Sequence, residues 1–281
     1  MSLLTFTLLM LLLGVVAGIV GSILGLGGGI IITPIITSFF GVDIKYAIGA
    51  SIVAVIATSS GAAISYLKDD LVNVRVAMFL EIFTTIGGLL GAILAGLFNA
   101  AILNLLFACL LIFQAYNMWR KLHQGEKVLQ NVTADKWAEK MKLNSSYFDK
   151  QTGEEVAYQV EKVPEGASIM FGAGIASGLL GIGSGAFKVL AMDTMMKMPL
   201  KPSTATSNLM IGVTAAASAT VYYFNGYVDP SLAGPLAIGI VAGAAIGSRI
   251  MPHLPARTIR LIFIPVIGLM ALQMILKGLG L

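Results

Sequence analysis

Gly25-Leu26-Gly27-Gly28-Gly29 has a counterpart 156 residues further along the chain, Gly181-Ile182-Gly183-Ser184-Gly185. The agreement continues without a gap for about 75 residues, as in a chain built from two copies of one unit. At the same offset, identical residues fall on one another: Gly18 on Gly174, Lys45 on Lys201, Ser51 on Ser207, Thr58 on Thr214, Tyr66 on Tyr222, Gly87 on Gly243 and Gly91 on Gly247. Duplicated apolar segments that are interrupted by glycine are typical of secondary transporters. The sequence therefore predicts a substrate site between the two copies, at the first break (Gly25–Gly29) and the second break (Gly181–Gly185).

The composition excludes a soluble globular protein. The 281 residues are 57% hydrophobic and 11% charged, and the mean hydropathy is +0.89. A soluble domain has about 25% charged residues, so this chain would lack the polar surface that it needs. The apolar run at residues 2–20 has no Lys or Arg before it, and we expect a retained first span rather than a cleaved signal peptide. The single cysteine, Cys109, excludes a disulfide framework.

The apolar runs predict an all-α polytopic membrane protein with about ten helical segments. In the first copy they lie at residues 3–24, 28–40, 46–67, 74–97 and 101–119. In the second copy they lie at residues 166–181, 185–197, 203–224, 229–250 and 258–278. A full crossing of the bilayer needs about 20 residues, so the second segment of each copy is too short. We expect these two segments to be half-helices that begin at the breaks.

The positive charges distinguish two arrangements of the copies. If each half-helix folds back as a hairpin, the second copy is inverted, with three transmembrane helices beside each hairpin. If instead each break lies within one crossing, the copies are parallel. The hairpin arrangement places most short-loop basic residues on the side of the linker at 120–163: Lys68, Arg75, Lys197, Lys201, Arg249, Arg257 and Arg260. Because basic loops stay in the cytoplasm, inverted repeats at 1–119 and 164–281 are favoured, with both termini outside.

The linker at 120–163 is the only long polar segment. Arg120 and Lys121 directly follow a predicted span, so we expect the linker in the cytoplasm of a plasma (inner) membrane protein. The stretch Ser146–Lys162, with Gly153 near its middle, predicts a small β-hairpin. Two roles stay open for the linker: a solvated connector, or a regulatory or partner-binding unit.

The breaks have the chemistry of an anion site. Glycine runs leave backbone N–H groups without helical partners, which a bilayer tolerates only where the backbone is buried or lines a polar cavity. A helix N-terminus offers free donors and a partial positive charge. We therefore place substrate at Gly27, Gly28 and Gly29 in one copy, and at Gly183, Ser184 and Gly185 in the other. Tight helix packing is the alternative, and we prefer it for the glycines within the spans: Gly87, Gly91, Gly243 and Gly247.

Lys188 and Glu81 are charges inside predicted spans. Lys188 follows the second break, where its repeat mate is Ile32, and an intramembrane ammonium is costly and usually functional. Snorkelling to an interface or pairing with Asp193 are the alternatives. Glu81 lies about two turns into its helix, and two roles stay open for it: it carries a coupling proton, or it pairs with a cation such as Lys188.

Polar side chains near the start of the segment 203–224 complete the candidate site. Thr206, Ser207 and Asn208 offer hydroxyl and amide donors that suit an oxyanion, and Ser51 is the repeat mate of Ser207. For Tyr66 and its repeat mate Tyr222, by contrast, we expect only positions in the aromatic belt at the membrane interface.

Three stretches resemble the sulfite exporter TauE/SafE family of membrane permeases: Gly25-Leu-Gly-Gly-Gly-Ile-Ile-Ile-Thr-Pro34, Gly181-Ile-Gly-Ser-Gly-Ala-Phe-Lys-Val-Leu190 and Ser203-Thr-Ala-Thr-Ser-Asn208. The resemblance covers nearly the whole chain outside the linker. It implies transport of small sulfur-containing anions such as sulfite, thiosulfate or organosulfonates, coupled to protons. The second copy departs from the family pattern, because Leu190 replaces the usual proline and Lys188 is added.

Rival functions fit the residues less well. An intramembrane Ser–His enzyme needs histidine within the membrane, but the only histidines, His123 and His253, lie in predicted loops. The same scarcity argues against a transition-metal carrier, which would normally supply His, Cys or several carboxylates. An anion channel or a non-transporting scaffold stays open as an alternative. We expect a permease without enzymatic activity, cofactor or metal, whose partners are a small anion and the lipid bilayer. Nucleic acid is not expected as a partner, and a homo-oligomer is compatible with the sequence.

Overall fold

A computed structural model describes residues 3–124, 135–181 and 184–279. The helices of the first copy are α1 (Leu3–Leu24), α2 (Gly29–Phe40), α3 (Ile44–Lys68), α4 (Val74–Leu97) and α5 (Ala100–Gln124). The linker contains α6 (Lys136–Lys140), β1 (Ser145–Asp149) and β2 (Glu154–Tyr158). The helices of the second copy are α7 (Val163–Leu180), α8 (Gly185–Leu190), α9 (Leu200–Phe224), α10 (Pro230–Ile250) and α11 (Ala256–Gly278).

The predicted all-α membrane architecture is confirmed. Six helical stretches in the described residues are long and apolar enough to cross a bilayer: Leu4–Leu24, Ile44–Lys68, Val74–Leu97, Ala100–Arg120, Val163–Leu180 and Pro230–His253. The described part of the chain contains a single two-stranded sheet, β1–β2, which lies in the linker. The chain is therefore a multi-pass membrane protein with one small polar unit inserted between its copies.

The half-helix of the second copy is not a regular α-helix throughout. The sequence predicts one segment at 185–197, whereas α8 ends at Leu190 and continues as a π-helix over Ala191–Met195. The wider turn is closed by the N–H of Met196, which donates to the carbonyl oxygen of Ala191 at 3.0 Å. Short π-helices often mark functional sites. The difference arises because i→i+5 bonding leaves no signature in apolar periodicity.

The main helix pairs each combine one helix from the first copy with one from the second. Helix α1 packs along α10, and their repeat mates α7 and α4 pack along each other in the same way. The central pair is α3 with α9, and the outer pair is α5 with α11. Exchanging the copies maps this set of pairs onto itself, so the most extensive helix contacts of each copy are made with the other copy.

Helices α3 and α9 run in opposite directions. Near the start of α3, a methyl group on Gly49 would lie 2.1 Å from the carbonyl oxygen of Tyr227, which follows the end of α9. Just after the end of α3, the backbone N–H of Asn73 donates to Thr206 Oγ1 near the start of α9, at 3.0 Å. Opposite directions for two repeat mates favour inverted copies, and inversion across the membrane stays a prediction.

Glycines within the spans allow close helix packing, as expected. A methyl group on Gly87 or Gly91 would lie 2.3 or 2.1 Å from a carbonyl oxygen of α7. One on Gly243 would lie 2.1 Å from the carbonyl oxygen of Val15 in α1, and one on Gly247 would lie 2.2 Å from Ser22 Oγ. Real Cβ atoms do not approach so closely, so these positions exclude any side chain while the helices keep their spacing.

A matched pair of glycines in α7 tests this packing. At Gly174 a methyl group would lie 2.2 Å from the carbonyl oxygen of Thr84, whereas at the exposed Gly172 it would meet nothing within 4 Å. We expect Gly174→Ala to cost about 1–3 kcal/mol through overpacking. Gly172→Ala should leave stability unchanged or raise it by up to about 1 kcal/mol through helix propensity. Thermal unfolding of both variants in detergent measures the difference, and equal melting temperatures would contradict the packing.

The linker forms the predicted hairpin. Strands β1 and β2 pair antiparallel, with Tyr147 opposite Val156, and Gly153 takes the left-handed conformation at φ 76°. Asp149 at the end of β1 accepts a hydrogen bond from Lys201 Nζ at 2.6 Å. Desolvation raises the pKa of Asp149, but the hydrogen bond and charge of Lys201, together with backbone hydrogen bonds from Gln151 and Thr152, outweigh it and leave this pKa below its ordinary value. The Asp149 carboxylate is therefore ionised at neutral pH.

The expectation for Tyr66 and Tyr222 was wrong. Both are buried, and each donates its hydroxyl to a carbonyl oxygen near the end of a broken helix. Tyr66 Oη donates to Ser22 O at 2.9 Å, and Tyr222 Oη donates to Gly178 O at 3.1 Å. Position near the end of a span cannot distinguish an interfacial ring from one that faces inward. The two tyrosines instead donate to carbonyl groups in the last turns of α1 and α7, where helical hydrogen bonding ends.

Candidate functional site

The two breaks lie against each other. A methyl group on Gly29, the first residue of α2, would lie 2.7 Å from the carbonyl oxygen of Gly181. Reciprocally, a methyl group on Gly185, the first residue of α8, would lie 2.1 Å from the carbonyl oxygen of Gly25. Each half-helix therefore starts against the break of the other copy, where glycine alone allows the contact. Gly183 lies outside the described residues.

Ser51 and Ser207 join the breaks through reciprocal hydrogen bonds. Ser51 Oγ donates to Gly181 O at 2.8 Å, and Ser207 Oγ donates to Gly25 O at 2.9 Å. Both serines are fully buried. They satisfy carbonyl groups that follow the ends of α1 and α7, so in this conformation their donors hold the two copies together.

Thr206 and Asn208 also make bonds within the protein. Thr206 Oγ1 accepts from the backbone of Asn73, and Asn208 Nδ2 donates to Ser22 O at 2.9 Å and to Thr204 O at 3.1 Å. Asn208 Oδ1 is buried and has no hydrogen-bond partner within the described part of the chain. A buried polar atom without a partner is costly, and this oxygen could accept a hydrogen bond only from a ligand group that carries a proton.

Ser184 combines a buried hydroxyl with a strained backbone. It caps α8 at φ 51°, and its repeat mate Gly28 caps α2 at φ 74°. Glycine adopts this left-handed conformation freely, whereas serine does so at a cost of about 1–2 kcal/mol. Its Oγ is buried and has no partner among the described residues. Backbone strain together with an unsatisfied hydroxyl is typical of a functional position.

Lys188 lies one turn into α8 and is completely buried. Its backbone N–H donates to Ser184 O at 2.9 Å, which places its main chain one turn beyond the second break. Its Nζ donates to Thr214 Oγ1 at 2.6 Å and to Glu81 Oε2 at 3.2 Å. Snorkelling is therefore excluded, and Glu81 is the acid paired with Lys188.

Two threonines hold Glu81 in place. Thr214 Oγ1 donates to Glu81 Oε1 at 2.5 Å, and Thr85 Oγ1 donates to the same oxygen at 3.1 Å. The resulting cluster joins α4, α8 and α9, and thus both copies. Sequence reasoning missed these threonines, although the repeat gives a signal: Thr58, the mate of Thr214, donates to Gly27 O at the first break, at 2.9 Å.

The cluster of Lys188, Glu81, Thr214 and Thr85 is a neutral ion pair within the membrane domain. The attraction between the two charges offsets part of the cost of burying them, and removal of either leaves the other uncompensated. An anion that bound Lys188 would therefore compete with Glu81. The described residues contain no group of three His, Cys, Asp or Glu side chains placed to hold a metal ion.

Comparison with known proteins agrees with this architecture. The family model described as sulfite exporter TauE/SafE matches residues 10–274. Probable membrane transporter protein YunE of Bacillus subtilis is 28% identical, over 96% of this chain and 97% of the relative. Probable membrane transporter protein YdhB of the same organism is 25% identical, over 88% of this chain and 90% of the relative. A probable membrane transporter protein of Methanocaldococcus jannaschii is 26% identical, over 95% of this chain and 95% of the relative. No solved structure matches the chain significantly. The chain therefore belongs to the sulfite exporter TauE/SafE family, a family of membrane transporters rather than enzymes.

Proposed function

We propose that the protein is a secondary transporter that carries a small anion across the plasma membrane by alternating access, coupled to a proton. The observation that carries this proposal is the buried Lys188–Glu81 pair, whose lysine follows the second break by one helical turn of backbone. An ammonium placed there attracts an anion, and the carboxylate beside it offers a site for a proton. Alternating access would follow from rocking of one copy against the other.

Anion binding would centre on Lys188 and Ser184. The Ser184 hydroxyl has no partner among the described residues, and the backbone of Gly28 and Gly29 in the first break and of Gly185 in the second would offer further N–H groups. Gly27, whose N–H donates to Gly21 O in this conformation, and Gly183, which lies outside the described residues, are proposed from the sequence. The donors of Ser51, Ser207 and Asn208 are engaged with main-chain carbonyls, and the Thr206 hydroxyl already accepts from Asn73. These side chains would reach the substrate when the breaks separate.

Proton coupling follows from competition at Lys188. A bound anion would take the place of the Glu81 carboxylate as the partner of the ammonium. The carboxylate would then be an unpaired charge in a medium of low polarity, which is strongly unfavourable. Uptake of one proton would neutralise it, and Thr214 and Thr85 would keep it in position. Anion and proton would therefore bind together.

We propose a sulfur oxyanion or organosulfonate as the substrate, in the class of sulfite, thiosulfate and sulfoacetate. The description of the family as sulfite exporters supports this class. A group with several acceptor oxygens and negative charge also suits one ammonium surrounded by hydroxyl and backbone donors. The distribution of basic residues supports a cytoplasmic linker and external termini.

A thermal-shift screen of the purified protein tests the substrate class. A ligand at 100 times its dissociation constant stabilises the folded state by about 2.7 kcal/mol. We expect stabilisation by sulfite, thiosulfate or sulfoacetate, loss of it in Lys188→Met, and retention in Lys136→Met, which removes an exposed lysine. Stabilisation by carboxylates alone would overturn the sulfur class, and absence of any shift would favour a channel or scaffold.

Ser184→Gly should separate stability from binding. Glycine accepts the left-handed backbone of residue 184 without strain, so stability should not fall. Loss of the hydroxyl removes one hydrogen bond to a charged ligand, about 1.5–3 kcal/mol, so affinity should fall by about 10- to 150-fold. Calorimetric titration with the stabilising anion measures the change. Unchanged affinity would remove Ser184 from the site.

A further inference from the structure

The linker unit, residues 135–162, is docked onto the membrane domain rather than solvated as a connector. On the side of the first copy it contacts the α3–α4 loop. Lys150 Nζ lies 2.7 Å from Asp69 Oδ2, and Asn73 Nδ2 donates to Leu143 O at 2.7 Å. Both contacts are made to the loop between α3, which carries Ser51, and α4, which carries Glu81.

The same unit contacts the second copy. Lys201 Nζ lies 2.6 Å from Asp149 Oδ1, and the backbone N–H of Glu161 donates to Met196 O at 3.1 Å. The side chains of Lys201 and Asp149 are only 8% and 13% exposed, so water screens this pair weakly. Met196 and Lys201 flank the turn between the half-helix that carries Lys188 and the helix that carries Thr214. The linker unit therefore bridges the two copies.

The other end of the molecule has no such bridge among the described residues. There Lys45, the repeat mate of Lys201, contacts the membrane domain itself. Its Nζ lies 5.4 Å from the ring centroid of Tyr227 and 3.4 Å from Gly96 O. The two ends are otherwise built from equivalent loops. The linker unit thus adds contacts between the two copies at one end of a nearly symmetric structure.

From this asymmetry, we infer that the linker unit is a latch. It holds closed the end of the transporter that carries the α3–α4 loop, Met196 and Lys201, here called the linker end, and it must release before that end opens. The inference rests on the alternating access of the proposed function. Separation of the copies at this end would pull the α3–α4 loop away from Met196 and Lys201, and the docked hairpin resists that movement from both sides. Rocking that opens the opposite end leaves the latch undisturbed.

Reversible cross-linking tests the latch in the intact protein. Cys109 is replaced by serine, and Asp69→Cys with Lys150→Cys is bridged by a short cleavable dithiol-reactive reagent. The control pair, Ser146→Cys with Glu155→Cys, bridges two residues of the hairpin that are in contact with each other. We expect the first bridge to reduce transport in liposomes more than tenfold and cleavage to restore it. The control bridge should change transport less than twofold. Transport at half the original rate or more with the first bridge in place would overturn the latch.

A second measurement needs no transport. A cysteine in place of the buried Thr204 reports whether a water-soluble reagent can reach the start of α9 from the linker end. Lys201→Gln should raise its labelling by an impermeant maleimide at least threefold, and the reversed pair Lys201→Asp with Asp149→Lys should return it to the original rate. Equal labelling in all three proteins would overturn the latch. If labelling responds but no anion is transported, the latch stands and the proposed function fails.

Discussion

Lys188→Met should abolish anion transport and destabilise the protein. Methionine nearly matches the volume of lysine but leaves the Glu81 carboxylate without its buried counter-charge. Loss of one partner of a buried ion pair costs about 3–5 kcal/mol, and loss of the substrate charge should reduce transport at least 100-fold. Thermal unfolding in detergent and uptake into liposomes measure the two effects separately.

A double variant distinguishes the functional role of Lys188 from its structural one. In Lys188→Met with Glu81→Gln, neither charge remains, and the amide can still accept hydrogen bonds from Thr214 and Thr85. Stability should return to within about 1 kcal/mol of the original protein, because neutral replacements of both partners are often tolerated. Transport should stay absent. If transport returned together with stability, Lys188 would serve only the fold.

Glu81→Gln should remove the dependence of transport on the proton gradient. Glutamine retains acceptors for the neighbouring threonines but takes up no proton when an anion approaches Lys188. We expect anion binding to persist, and to be tighter because the competing carboxylate is gone. Uptake into liposomes should no longer respond to an imposed pH gradient.

The control for this variant is Glu154→Gln, which removes an exposed carboxylate in the hairpin. Its transport should follow the pH gradient as in the original protein. A pH response that survives in Glu81→Gln would show that the coupling group lies elsewhere or that transport is uncoupled.

The parts of the structure that follow from local sequence could be predicted. The glycine breaks, the short helices α2 and α8, and the hairpin around Gly153 each depend on residue types that act within a few positions. The importance of Lys188 was also predictable, because an ammonium between apolar residues needs a reason in any membrane fold.

The contacts across the two copies could not be predicted. Ser51 meets Gly181, and Thr214 meets Glu81, only because α3, α4 and α9 assemble around both breaks. No periodicity records which face of a helix meets which partner when every face is apolar. For the same reason, Tyr66 was assigned to the membrane interface although it is buried.

The most direct test of coupled anion and proton binding at the Lys188–Glu81 pair is proton uptake on anion binding. The purified protein in detergent and weak buffer is titrated with the anion that stabilises it, while a pH-sensitive dye follows the solution. Competition between the anion and Glu81 for Lys188 predicts uptake of about one proton per bound anion, and none in Glu81→Gln. Tight binding of the anion to the original protein without proton uptake would contradict the proposal that the anion displaces Glu81 from Lys188.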